Sequence, residues 1–221
     1  MRKLKYIKGF GFELEGGWEE DRFKKFENMG IMKGDGSVET DDTVAGEIAS
    51  KVFGDIYEAW DYMKTYYPDE VNRTCGFHIH ISVDDGHYAQ LMERDFYDKF
   101  IAWAKNIGEK FPKRVPGTFM ARVEGKNTYC QAMHIPTEQV KGRGDRYTQI
   151  NYCHSSHKTM ENRMFPGCKN PKTAFFLLVN YLLFIEDYLE HNKIVQKKHE
   201  IEVVYEMEIK EKGKKGELIC A

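Results

Sequence analysis

Apolar and polar positions alternate with period two through residues 6–15, placing Phe10, Phe12 and Leu14 on one side and Glu13 and Glu15 on the other. That pattern predicts a strand with one dry face, closed by Gly16-Gly17. The same alternation recurs at residues 75–83, 147–153 and 158–165, with weaker strand patterns at 37–39, 44–50 and 129–134. Apolar spacing near 3.6 predicts helices over 54–67, stopped by Pro68, over 89–111, stopped by Pro112, and from Pro171 to about residue 191. Residues 18–29 read as a lid or short helix, 33–36 as a turn and 118–127 as irregular. A C-terminal hairpin is expected over 200–220, around the Lys212–Gly216 turn. No internal repeat or linker divides the chain. The expectation is one α+β domain over 1–221, with a mainly antiparallel sheet.

Composition adds limits. Net charge is −2 at pH 7, so no global field calls for nucleic acid or an anionic membrane, and any polyanion must be held by local positive charge. The longest apolar run, residues 174–185, is too short for a membrane span, and the basic N-terminus leads into strand-like alternation instead of a secretory core. The expected compartment is the cytoplasm. Five cysteines without a C-x-x-C pair indicate neither a disulfide framework nor a zinc knuckle.

The chemistry is concentrated in three pairs at strand spacing: Glu13-Leu14-Glu15, His78-Ile79-His80 and Glu161-Asn162-Arg163. Two positions apart on a strand means one face. Each pair alone suits a solvated strand. Together, carboxylates that repel unless a cation neutralises them, imidazoles that bind metals and a guanidinium that grips phosphate suggest a metal–phosphate site.

Six motifs occur in order: Gly11-Phe12-Glu13-Leu14-Glu15, Asp35-Gly36-Ser37, Gly46-Glu47-Ile48-Ala49-Ser50, Gly76-Phe77-His78-Ile79-His80-Ile81-Ser82, Arg146-Tyr147 with Asn151, and Glu161-Asn162-Arg163. This ordered set resembles the amidoligase family, relatives of glutamine synthetase and glutamate–cysteine ligase. The resemblance implies a curved antiparallel sheet with helices on its outer face and divalent metals on the inner one. It implies Glu13, Glu15, Glu47, His78 and Glu161 as metal ligands, and His80 and Ser82 as nucleotide or substrate contacts. Arg163 and Arg146 would hold the transferred phosphoryl group, with Asp35 and Ser37 beside the site. The implied activity is an ATP- and Mg²⁺-dependent (or Mn²⁺-dependent) carboxylate–amine ligase working through an acyl-phosphate. In that scheme Glu15 and Glu47 hold one ion, Glu13, His78 and Glu161 a second, and Asp35 takes the proton of the amine. Small-molecule or peptide carboxylates and amines are the expected partners, and exposed sheet edges would permit a homo-oligomer.

Two rivals compete with this reading. His80-Ile81-Ser82 and His157-Lys158-Thr159 fit the short pattern of two-histidine phosphoesterases, which need no metal, but leave Glu13, Glu15 and Glu161 without a role. The other is a ligase-like fold that binds without turnover.

Overall fold

A computed structural model describes residues 4–133, 147–153 and 158–191. Arg146, His157 and the expected 200–220 hairpin lie outside the described residues.

The organising element is an antiparallel six-stranded sheet in the order β2-β3-β1-β4-β8-β7. Its strands are β1 (Gly9–Trp18), β2 (Met32–Gly34), β3 (Val44–Ala49), β4 (Gly76–Ser82), β7 (Ile150–Cys153) and β8 (Thr159–Pro166); β5 (Lys126–Asn127) and β6 (Cys130–Gln131) form a separate small ladder. The fold is α+β. Period-two alternation gives the sheet two unlike faces: Phe10, Phe12 and Leu14 of β1, Phe77, Ile79 and Ile81 of β4 and Met160 and Met164 of β8 are all buried in one continuous core.

That face is covered by helices. α2 (Ile56–Tyr66) starts where the Asp55 carboxylate accepts from the Tyr57 and Glu58 amides, stops before Pro68, and buries Ala59, Trp60 and Met63. α4 (Arg94–Lys110) contributes Phe96, Phe100, Trp103 and Ile107. α6 (Pro171–His191) is buried almost all round, as expected of a helix enclosed by other elements. Phe165 of β8 meets Phe119, Trp103 and Tyr181 with ring centroids 5.8, 6.3 and 6.1 Å apart, which locks the end of β8 into the core. The buried Glu186 carboxylate of α6 accepts from the Lys5, Tyr6 and Ile7 amides at 2.7, 2.9 and 2.8 Å and so fixes how the chain enters β1. Among the described residues no helix is long and apolar enough to cross a membrane.

Several expected boundaries move. Residues 18–29 contain a helix, α1 (Glu20–Asn28), whose Phe23 and Phe26 pack with Trp18, Met32 and Ile48. The expected turn at 33–36 begins as β2, whereas 37–39 is not a strand. The expected single helix over 89–111 is two, α3 (Asp85–Leu91), capped by Asp84, and α4. The irregular 118–127 segment contains α5 (Phe119–Val123).

Candidate metal centre

The opposite face of the sheet carries the polar pairs. Strand register puts Glu15 opposite Glu47, Glu13 opposite His78, His80 opposite Glu161, and Glu161 opposite Asn151. Residues in register share a face, so these side chains form one polar band across five adjacent strands, extended by Lys33 opposite Glu47. The β4–β8 pairing is irregular between Phe77 and Ile79, and His78 sits at that bulge. A bulge can re-aim a side chain, and here His78 points among carboxylates from several strands.

Its Nδ1 lies 3.1 Å from Glu13 Oε2, 3.6 Å from Glu15 Oε1 and 3.6 Å from Glu161 Oε1. The imidazole is thus the joint between two groups, Glu13–His78–Glu161 and Glu15–Asp35–Glu47, in each of which one potential ligand atom per residue lies within 4.8 Å of the others. Such donor sets suit a divalent cation: oxygen-rich, with one imidazole. Glu15, Glu47, His78 and Glu161 are all buried, so unneutralised carboxylates here are costly.

The surroundings order these groups. The Gly76 amide donates to Glu15 Oε2 at 2.5 Å, and the Asn151 amide donates to Glu161 Oε2 at 2.8 Å. Lys33 Nζ stands 2.7 Å from Glu47 Oε1, a charge contact without the alignment of a hydrogen bond. Arg163 Nη1 pairs with Glu161 Oε1, while its buried Nε has no hydrogen-bond partner among the described residues. His80 bridges Glu13 Oε1 and Thr159 Oγ1, each at 3.2 Å. Ser82 lies farther along the same face, its hydroxyl donating to the Gly9 carbonyl. Asp35 accepts from the Ser37 amide and hydroxyl at 2.8 and 2.7 Å.

The structure therefore brings together Glu13, Glu15, Asp35, Glu47, His78, His80, Glu161 and Arg163, and leaves Ser82 at the margin. Asp35 stands among the potential ligand atoms of the second group instead of apart from them. Arg146 lies outside the described residues, as does His157, the second histidine of the phosphoesterase reading.

Gly76 is required by geometry. A Cβ there would come 2.4 Å from His78 Nε2 and 3.0 Å from Glu15 Oε2. Gly76→Ala is expected to displace the His78 ring and weaken divalent-ion binding by about tenfold or more, with the fold retained by circular dichroism.

Titration behaviour follows from the crowding. Burial pushes the Glu13 carboxyl up, but hydrogen bonds from His78 and His80 outweigh it and hold it well below the usual range. Burial and the neighbouring Glu13 charge raise the pKa of Glu47, against the pull of Lys33. Burial opposes a charged His80, yet the hydrogen bond to Glu13 and the field of Glu161 raise its pKa above the ordinary histidine value. His80 and Glu47 thus keep protons that the unfolded chain has already released. The contribution of His80 to stability is lost as pH rises above about 6.5 through its raised value, that of Glu47 as pH rises above the usual carboxylate range through its own raised value, and that of Glu13 as pH falls below the usual carboxylate range. In EDTA the melting temperature is expected to fall as pH rises above about 6.5, where the unfolded histidine has released its proton. Millimolar Mn²⁺ should raise it most at pH 8, because the metal competes with those protons.

Two supporting residues escaped the sequence reading. Arg122 of α5 is fully buried and donates to the carbonyls of Arg163 and Cys75, each at 3.2 Å, tying the ends of β8 and β4 together. Gln149 is buried beside it: its side-chain amide donates to the Arg122 and Val123 carbonyls, and its own carbonyl accepts from the Arg163 amide at 3.0 Å. Nothing in a period-two or 3.6-residue pattern marks either one, since their partners, backbone carbonyls and the Tyr97 hydroxyl on Gln149, are distant in sequence.

Searches against known families, curated proteins and solved structures find no match to this chain.

Proposed function

We propose that this chain is an ATP-dependent carboxylate–amine ligase of amidoligase type, with a glutamine-synthetase-like sheet and magnesium or manganese as its metal. The observation that carries the reading is the pair of donor groups joined at His78, with Arg163 adjoining Glu161 on the same sheet face. Glu13, His78 and Glu161 would hold one cation, and Glu15, Glu47 and Asp35 the other. Divalent ions bound there would supply charge neutralisation to a nucleotide's phosphates.

The chain's own groups would do the rest. Arg163, whose Nε has no hydrogen-bond partner among the described residues, is suited to meet charge building on a transferring phosphoryl group. Its guanidinium is kept in place by Glu161 on the side chain and by Gln149 and Arg122 on the backbone. His80, whose imidazolium form is favoured by its carboxylate neighbours Glu13 and Glu161, can when protonated donate to an anionic substrate oxygen. Activation of a carboxylate as acyl-phosphate followed by amine attack requires such positioning and neutralisation and little covalent chemistry from the protein. Asp35, placed among the ligands, is assigned to cation binding in preference to removal of the amine proton.

The test is phosphate release from ATP across mixtures of carboxylates and amines, with products identified by mass spectrometry. Divalent-dependent release that needs both substrates, with a product lighter than their sum by one water, supports the ligase. Metal-independent hydrolysis of cyclic phosphodiesters would point to the phosphoesterase instead.

A further inference from the structure

A second feature lies apart from the metal centre. A cavity of about 450 Å³ opens between the segment after α2, the α4–α5 connection and the β8–α6 junction. Its walls carry Arg73, Lys113, Arg114 and Lys169, with Thr118 and Thr173 among the polar groups, and no carboxylate. None of those cations has an ion-pair partner among the described residues. Elsewhere on the surface acid neighbours are common: Lys24 with Glu20, Lys51 with Glu58, Arg94 with Asp98, Lys126 with Glu124. In a chain of net charge −2, gathering four unpaired cations around one concavity concentrates positive potential there.

The frame is fixed by packing. The Gly167 amide donates to the Cys75 carbonyl at 2.8 Å, and Arg122 donates to the same oxygen, so the floor is tied to the ends of β8 and β4. The Arg114 guanidinium lies over the Phe176 ring, 5.5 Å from its centroid, which orients it by cation–π contact. α6 begins at this rim, with Asn170 capping the Thr173 amide at 2.9 Å and no acid in its first turn. The positive end of a 21-residue helix adds to the field.

We infer that this cavity binds a small anion carrying two phosphate groups. One phosphate ester bears about −1.5 to −2 charges at pH 7. Two therefore match the four side-chain cations, and the volume is in the range of small-ligand sites, about 300–1,000 Å³. Arg73 and Arg114 supply planar forks for phosphate oxygens, and Lys113 and Lys169 supply point charges. The inference is independent of the ligase reading, because none of the residues lining this cavity belongs to the metal centre.

The probe is inorganic pyrophosphate, titrated calorimetrically into the full chain in EDTA so that no metal bridges it to the carboxylate face. Saturable binding to the wild type is expected. It should weaken about tenfold or more in Lys113→Gln/Arg114→Gln and in Lys169→Gln, through loss of charge-assisted contacts. Lys126→Gln, whose lysine pairs with Glu124 outside the cavity, should bind as the wild type does. Matching melting curves will establish that the variants are folded; substitution of exposed cations away from the core leaves the packing intact. Absence of binding to the wild type, undiminished binding to the cavity variants, or loss on Arg163→Gln instead would overturn the assignment. Citrate bound as tightly, with the same sensitivity, would overturn the choice of phosphate.

Discussion

Arg163→Ala is expected to lower metal- and ATP-dependent phosphate release by about 10³-fold or more, the scale on which a transition-state arginine acts in phosphoryl transfer. The reason is local. Arg163 places a guanidinium on the polar band beside the donor groups, it is mostly buried, and Glu161 satisfies its Nη1 while Nε has no hydrogen-bond partner among the described residues. Arg163→Lys should recover only a small part, because an ammonium keeps the charge but not the fork. Mn²⁺ binding, read by electron paramagnetic resonance, should survive in both variants, since Arg163 is no ligand. Loss of metal binding together with activity would make Arg163 a structural support, and wild-type turnover would remove it from the site.

The second large effect concerns Glu161. It belongs to the Glu13–His78–Glu161 group, accepts from Asn151, and lies opposite His80 in the ladder. Glu161→Gln preserves shape and removes the charge. Partners that merely orient a metal ligand contribute about 10–100-fold to affinity, so loss of a ligand itself should weaken Mn²⁺ binding by about 100-fold or more. Because His78 also approaches Glu15, binding at the second group should weaken as well, by a smaller factor. Equal Mn²⁺ affinity in the variant and the wild type would exclude Glu161 from the metal shell.

Much of this arrangement was legible in the sequence because strands carry their own code. A Glu-x-Glu or His-x-His with apolar neighbours states which face each residue takes, and Glu13, Glu15, His78 and Glu161 do share one. The Asp35 segment was readable as near the site, but its convergence with Glu15 and Glu47 depends on how β2 and β3 pair, which is a long-range property. The break between α3 and α4 was hidden because no glycine or proline marks it; the chain restarts at Arg94 after Met92 and Glu93. Conversely, Gly34 read as part of a turn, yet it pairs with Gly46 at the end of β2, where a Cβ on Gly46 would come 2.8 Å from the Lys33 carbonyl oxygen. Arg122 was invisible for a different reason: in a segment read as irregular an arginine looks solvated, whereas here it is sealed inside by the carbonyls of Cys75, Arg163 and Phe165. The basic cavity also draws on segments far apart in sequence, none of which forms a charged run.

The central claim is that the polar face of the sheet holds two divalent cations side by side. Anomalous diffraction from crystals grown with Mn²⁺ tests it directly. Two peaks are expected, one bounded by Glu13, His78 and Glu161 and the other by Glu15, Asp35 and Glu47. Crystals saturated with Mn²⁺ that show no peak among these residues would contradict the account.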